Sequence, residues 1–400
     1  MRRSLTQSFD EILVLDLGGN IRKLDGPDEN VFPIRMGVAI SFMVKTGSDP
    51  KCNVRHAEIA GARRHKLDTL ASSSIETLPW TSLPPAGSFL LFTPHDETLR
   101  EEFYSFASLF DLFREHTMGF VTSRDAFAVG FTRDEVLSRV DALRSGRITD
   151  GELRAIHHVG NLNIDSARDA LRSDPNWEDN ITEVLYRPLD RRWIYYSRAI
   201  MERPRLPFMQ NMLRDNIALA VGRAGQVVGS EEWDVVFCSD RPADLNLFRR
   251  GGAKLFPKYV YEDGRRVSNM AQAEFDSETL FAYIYAVLHS SAYRRRYADM
   301  LRVDYPRIPV SLDQRLVCQL AEVGNALISV HLMRLSPSDI TNPQGLLRVG
   351  GYELPRKVIC ERGHWNTPAD LALLASAVDR TITLRRQIDR IMSHHPPWPV

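Results

Sequence analysis

The segment Tyr186 to Ser197, Y-R-P-L-D-R-R-W-I-Y-Y-S, interleaves three arginines with three tyrosines and a tryptophan. Arginine bridges phosphate oxygens or reads guanine edges with paired donors, and aromatic rings support bases or hold guanidinium planes by stacking. The run continues through Arg198, Arg203, Arg205, Arg214 and Arg223, so that between Tyr186 and Arg223 eight basic residues stand against three acidic ones. A second cluster, Arg249-Arg250-Gly251-Gly252-Ala253-Lys254, places charge beside glycines that let a backbone approach a phosphate closely. The candidate phosphate contacts are therefore Arg187, Arg191, Arg192, Arg203, Arg205, Arg249, Arg250 and Lys254. The same residues also read as a twisted strand with Trp193 and Tyr195 in a core and the arginines paired to acids elsewhere, and both readings stay open. Arg294-Arg295-Arg296 points in three directions on a helix and reads as a solvated face.

Other chemistries find little purchase. The sequence holds no P-loop, no G-x-S-x-G, no H-E-x-x-H and no G-x-G-x-x-G after a strand, and no catalytic residue is assigned. Asp16-Leu17-Gly18-Gly19-Asn20 superficially resembles a nucleotide-binding turn, but a plain strand-ending turn is the favoured reading. Cys52, Cys238, Cys318 and Cys360 are scattered without C-x-x-C spacing, which fits a reducing cytoplasm, and Cys360 with His364 lacks a second ligand pair, so no metal is expected. No apolar stretch is long enough to span a bilayer and the N-terminus has no h-region, so a cytoplasmic location is expected. Charge balances at 51 basic and 51 acidic residues, yet only seven of the basic ones are lysine, which favours planar two-pronged contacts.

The elements that would carry these residues follow from apolar periodicity. Phe9 to Leu17 predicts a buried strand of the kind found inside a sheet, Val38 to Lys45 a second and Arg55 to Ile59 a third, with a helix over Arg63 to Leu70. Thr132-Arg133-Asp134-Glu135 caps a helix reaching Ser145, opening a charged helical connector that runs over about 131–180. Strands are predicted at Glu183 to Tyr186, Arg192 to Tyr196, Ile217 to Val221, Val235 to Cys238 and Leu255 to Tyr261, separated by Pro, Gly and Asp clusters. Helical faces then run from Leu280 to Leu301, from Leu312 to Val330 and from Pro368 to Met392. The fold class expected is α/β with α+β: strands of an incomplete sheet over 1–130, the connector, then a mixed β-rich domain over 181–400 with long C-terminal helices.

Taken together, five ordered segments resemble the C-terminal half of type ISP restriction–modification enzymes, single chains that combine nuclease, adenine-specific DNA methyltransferase and specificity parts. They are Phe9 to Lys23, Asn30 to Lys45, Gly119 to Phe127, Tyr186 to Ser197 and Tyr283 to Pro309. The resemblance implies that residues 1–130 are the closing strands of a methyltransferase sheet and that residues 181–400 are a target-recognition domain binding double-stranded DNA. It also implies that S-adenosylmethionine serves the intact enzyme and that Phe32 of V-F-P is the match to the aromatic residue that stacks on an extruded base. The family's cofactor loop and N-P-P-Y motif occur nowhere in these residues, so no cofactor is expected on this chain alone. Either the chain is a recognition module, or a separate N-terminal methyltransferase and nuclease polypeptide completes it, or it is an inactive fragment.

Overall fold

The computed structural model describes residues 2–20, 28–47, 52–83, 92–94, 97–222, 233–248, 252–271, 274–309, 313–335, 347–349, 352–354 and 368–394. They fall into two compact units, one up to Phe106 and one from Ala107 onward. The first unit centres on the apolar run β1 (Glu11–Asp16), flanked by β2 (Ala39–Val44) on one side and by β3 (Asn53–Glu58) and β4 (Thr81–Leu83) on the other. β1 runs antiparallel to β2, with Leu15 opposite Ile40, and parallel to β3, with Leu15 opposite Ala57. Leu15, Leu17, Val31, Ala57 and Ile59 form one buried cluster, while Ile12, Val54 and Leu83 form another. β2 ends the sheet, and its outer edge has no strand partner among the described residues.

A buried cation ties this unit together. Lys66, on the helix Arg63–Ser72, is wholly buried; its Nζ donates to the carbonyls of Leu17 at 2.6 Å and Glu29 at 2.7 Å and pairs with the Asp28 carboxylate. Asp28 also accepts from the Gly61 amide at 2.9 Å and from Gly19. Burial alone would raise the Asp28 carboxyl, but the hydrogen bonds from Lys66, Gly19 and Gly61 outweigh it and hold it below the ordinary carboxylate value. Gly19 adopts φ 72°, and a Cβ there would lie 2.3 Å from the Asn30 backbone, so glycine is required.

The second unit opens with short pieces, β5 (Ala107–Ser108), β6 (Thr117–Met118) and β7 (Val129–Gly130). The expected helix spans Arg133–Ser145, with Thr132 Oγ1 accepting from the Glu135 amide at 3.2 Å and Gly146 closing it at φ 78°. It buries Val136, Val140 and Leu143 and packs on the sheet formed by β7, β9 (Asp190–Tyr195) and β8 (Ile181–Arg187). The helices Asp150–His157 and Ile164–Ser173 follow, so the stretch read as a connector belongs to the same compact unit as the β-rich region.

Behind them lies a second sheet in the order β11 (Val236–Ser239), β10 (Ala218–Val221), β12 (Lys254–Pro257), β6, in which β10 and β11 are buried throughout. The run expected as one strand from Leu255 to Tyr261 divides at Lys258. There the buried ammonium pairs with Glu278 at 2.5 Å, and the Asn216 side chain accepts from the Tyr259 amide at 3.1 Å while donating to its carbonyl at 2.7 Å. The chain thus leaves β12 and forms a separate hairpin, β13 (Tyr259–Glu262) and β14 (Arg265–Ser268), turning through Asp263 at φ 48° and Gly264 at φ 80°. Two positive-φ central residues match the right-handed twist of a hairpin, and the D-G pair is their sequence signature. β15 (Arg307–Ile308) pairs with β5, and a last hairpin follows, β16 (Leu347–Val349) with β17 (Tyr352–Leu354).

The helical layer packs Ser277–His289 against Gln314–His331, which in turn meets Pro368–Ser393. The apolar face predicted to continue to Leu301 breaks at Ser290, whose hydroxyl accepts from the Tyr293 amide at 3.1 Å and donates to Asp389 at 2.8 Å, starting the helix Ser291–Arg296. Gly324 marks the closest helix approach: a Cβ there would lie 2.0 Å from the carbonyl oxygen of Ala282. Gly324→Ala is therefore expected to destabilise the second unit by about 1–3 kcal/mol, although alanine favours helices, because backbone must move to admit it. A raised or unchanged denaturation midpoint in that variant would contradict this packing.

Candidate nucleic-acid interface

Loop geometry in the G-F-V-T-S-R-D-A-F segment is set by Arg124, which is buried. Its guanidinium donates to the carbonyls of Val159 at 3.2 Å, Ile200 at 2.7 Å and Thr122 at 3.4 Å and to the Asn161 side chain at 3.1 Å. Burial pushes its pKa below the usual guanidinium value, opposed by the Glu202 charge. So anchored, the loop holds Ser123 at φ 55° and turns the Asp125 carboxylate to accept from Thr122 and, at 2.7 Å, from the Tyr186 hydroxyl. Ser123, Asp125, His157, His158, Asp244 and Asn246 line a concavity of about 370 Å³ beside it.

The β8–β9 hairpin places a stacked ladder next to that loop. The Arg192 guanidinium lies 4.6 Å from the Phe131 ring and 4.1 Å from the Tyr186 ring, whose other contact is Arg187 at 4.0 Å. Each strand arginine is also paired with a carboxylate: Arg187 with Asp244 at 3.0 Å, Arg191 with Asp240 at 2.9 Å and Arg192 with Asp190 at 2.8 Å. Burial, opposed by Arg187, pushes the Asp244 carboxyl up to about 6. These pairs cancel charge locally, and they also fix the guanidinium planes while using only some of their donors. Of the two readings left open by the sequence, pairing to acids is the one found for these three side chains.

The remaining sequence candidates are dispersed. Arg203, exposed, pairs with Glu202 at 3.1 Å, and Arg205 donates to the Gly119 carbonyl at 3.2 Å. Lys254 sits over the rings of Phe110 at 5.0 Å and Tyr305 at 5.7 Å, where burial and its charge lower the pKa of His116. Arg249 and Arg250 lie outside the described residues, as do Cys360 and His364. Phe32 belongs to the first unit, where its side chain is 55% exposed in a bend with Ile34 and Met36, also exposed. The Gly18-Gly19 turn spends its amides internally, on Asp16 at 2.8 Å and on Asp28, which accounts for it as a strand-ending turn. Among the described residues no group of three His, Cys, Asp or Glu side chains is placed to hold a metal, and no helix is long and apolar enough to cross a membrane.

Two features were not anticipated. Arg294 is not part of a solvated face: it is buried, donates to the Leu288 carbonyl at 2.6 Å and lies 5.6 Å from the Trp233 ring, whereas Arg295 and Arg296 are exposed. The β13–β14 hairpin was also missed, although Asp263-Gly264 signalled it; its Tyr259 and Tyr261 rings carry Arg266 at 4.5 Å and Arg214 at 4.8 Å.

Residues 111–364 match the type ISP C-terminal specificity domain, and the chain belongs to that family. Among solved structures, the whole chain aligns with a nuclease-deletion mutant of the type ISP restriction–modification enzyme LlaGI in complex with a DNA substrate mimic, at 20% identity and TM-score 0.64 over 44% of that chain. It aligns likewise with DrdV in a DNA complex, at 19% identity and TM-score 0.65 over 49% of that chain. A third match is the ATP-dependent type ISP enzyme LlaBIII bound to DNA, at 18% identity and TM-score 0.66 over 32% of that chain. The chain thus spans less than half the length of each, and these likenesses concern the fold. No curated protein matches the sequence.

Proposed function

We propose that this chain recognises a specific sequence in double-stranded DNA as the specificity part of a larger cytoplasmic restriction–modification methyltransferase. The observation that carries this reading is the match of residues 111–364 to a specificity-domain family. The β8–β9 ladder supports it physically, because guanidinium groups held by rings and carboxylates present oriented donors at little entropic cost. In this reading Arg187, Arg191 and Arg192 serve as oriented donors, and Arg203, Arg205, Lys254 and the 249–250 pair as backbone contacts. The first unit is then the closing part of an adenine-specific methyltransferase sheet, with Phe32 exposed to stack on a flipped base. S-adenosylmethionine would be held elsewhere in the intact enzyme, since the cofactor loop and N-P-P-Y motif are absent from these residues.

The test is binding of the full chain to a random duplex pool at two salt concentrations, followed by enrichment sequencing. Expected are a Kd that rises steeply with salt and an enriched motif. Binding no tighter than about 10⁻⁴ M, or recovery of an unenriched pool, would reject it.

A second reading is favoured by the outer edge of β2, which has no strand partner among the described residues and carries exposed Met43 and Val44. Here a separate polypeptide carrying the cofactor loop and catalytic motif pairs with that edge and restores methyl transfer. Mixing the two and assaying label transfer to duplex DNA distinguishes it, because a recognition module alone stays inert.

A further inference from the structure

Most arginines of the run after Tyr186 are committed within the protein, and Arg214 is an exception. Arg187, Arg191, Arg192 and Arg203 each hold a carboxylate, and Arg205 holds a backbone carbonyl. Arg214 is exposed, and its guanidinium has no hydrogen-bond or ion-pair partner among the described residues. It lies over the Tyr261 ring, 4.8 Å from its centroid. That ring is itself fixed, because the Tyr261 hydroxyl donates to the Asp215 carbonyl at 2.8 Å and its amide donates to Asn211 at 2.9 Å. Directly across the hairpin from Tyr261 stands Arg266, stacked on Tyr259 and paired with Asp215 at 3.1 Å. Arg214 also borders a groove of about 490 Å³, walled on its other side by Trp193 and Glu183 of the β8–β9 sheet.

A guanidinium stacked on a clamped ring keeps its edge donors unused while losing most of its torsional freedom in advance. That arrangement suits bidentate donation to the two acceptors on a guanine edge, which requires a planar fork held in a fixed orientation. A phosphate contact makes weaker demands, since a mobile charge serves as well. The hairpin that supplies the ring is of the kind a major groove admits, a two-stranded ribbon.

We propose that Arg214, positioned by Tyr261, reads one guanine of the recognised sequence. This rests on the DNA-recognition reading above. Enrichment sequencing with the full chain is to be run in parallel on wild type, Arg214→Ala, Arg214→Lys, Tyr261→Phe and Tyr261→Leu, with affinity measured across a salt series. Expected is loss of preference at a single G·C pair by about 10- to 100-fold in Arg214→Ala, with binding to unrelated duplexes and the salt slope nearly unchanged. Arg214→Lys should recover little of it, because an ammonium lacks the fork. Tyr261→Phe should keep most of the preference, since the ring and its amide bond to Asn211 remain, and Tyr261→Leu should lose more of it. A uniform fall in affinity with a shallower salt slope would make Arg214 a phosphate contact and overturn the proposal. An unchanged motif in both Arg214 variants would overturn it while leaving DNA recognition standing. Absence of any motif for the wild type would overturn both.

Discussion

Lys66→Ala is expected to unfold the first unit, with a loss of about 3–5 kcal/mol. The ammonium is wholly buried and satisfies the Leu17 and Glu29 carbonyls and the Asp28 carboxylate together, so its removal leaves two carbonyls without this donor and the Asp28 carboxylate without its counter-charge. Lys66→Met, which refills the space, should recover only a minor part, because volume is not what those oxygens lack. The effect should depend on pH. Asp28 is held below its ordinary value in the folded state, so its contribution is fully present above the ordinary carboxylate range and is lost as pH falls through the lowered folded value. The gap between wild type and Lys66→Ala should therefore be wide at neutral pH and narrow in acid. Hydrogen exchange followed on β1 amides reads this unit alone, and wild-type protection of Leu13 and Leu15 in Lys66→Ala would refute the assignment.

Arg124→Met should have the second-largest effect, a loss of about 3 kcal/mol in the second unit together with loss of duplex binding. Four acceptors from residues 122, 159, 161 and 200 meet on this one guanidinium; the Thr122 and Val159 carbonyls also accept from the Glu202 and Leu162 amides, whereas the Ile200 carbonyl and the Asn161 side chain rely on Arg124 among the described residues. Without it the loop loses its buried anchor, and only side-chain bonds from Ser123 to Glu202 and from Thr122 to Asp125 are left to hold Ser123 at positive φ and Asp125 toward Tyr186. Arg124→Lys should behave almost as badly, since one ammonium cannot span acceptors spread around a planar fork. Exchange protection over residues 119–128 and the denaturation midpoint measure this directly, and an unaltered midpoint would contradict it.

Apolar periodicity made much of the fold legible. β1, β2, β3, the Thr132-capped helix and the helices ending at His331 and Ser393 fall close to where the pattern puts them, because each buries, or in β2 half-buries, a face or stripe its own sequence writes out. Where the structure departs, a distant partner decides. The division at Lys258 depends on Asn216 and Glu278, and the break at Ser290 is fixed by Asp389, nearly a hundred residues later. The same holds for the site. The richness in arginine was plain, but which arginines are neutralised was not, since Asp240 and Asp244 lie 49 and 57 residues from Arg191 and Arg187. Local composition counts charges; pairing across the sheet decides which of them face outward with donors unspent.

Asp240 carries an implication of its own. Its single carboxylate serves two guanidinium groups at once, Arg191 at 2.9 Å and Arg334 at 3.0 Å, the latter side chain 55% exposed. Among the described residues, one anion shared between two cations leaves one elementary charge unmatched at a fixed place on the surface. A polyanion diffusing nearby is drawn and turned by such a spot before any contact forms, so Arg334→Gln should slow arrival at low ionic strength and leave residence time almost untouched.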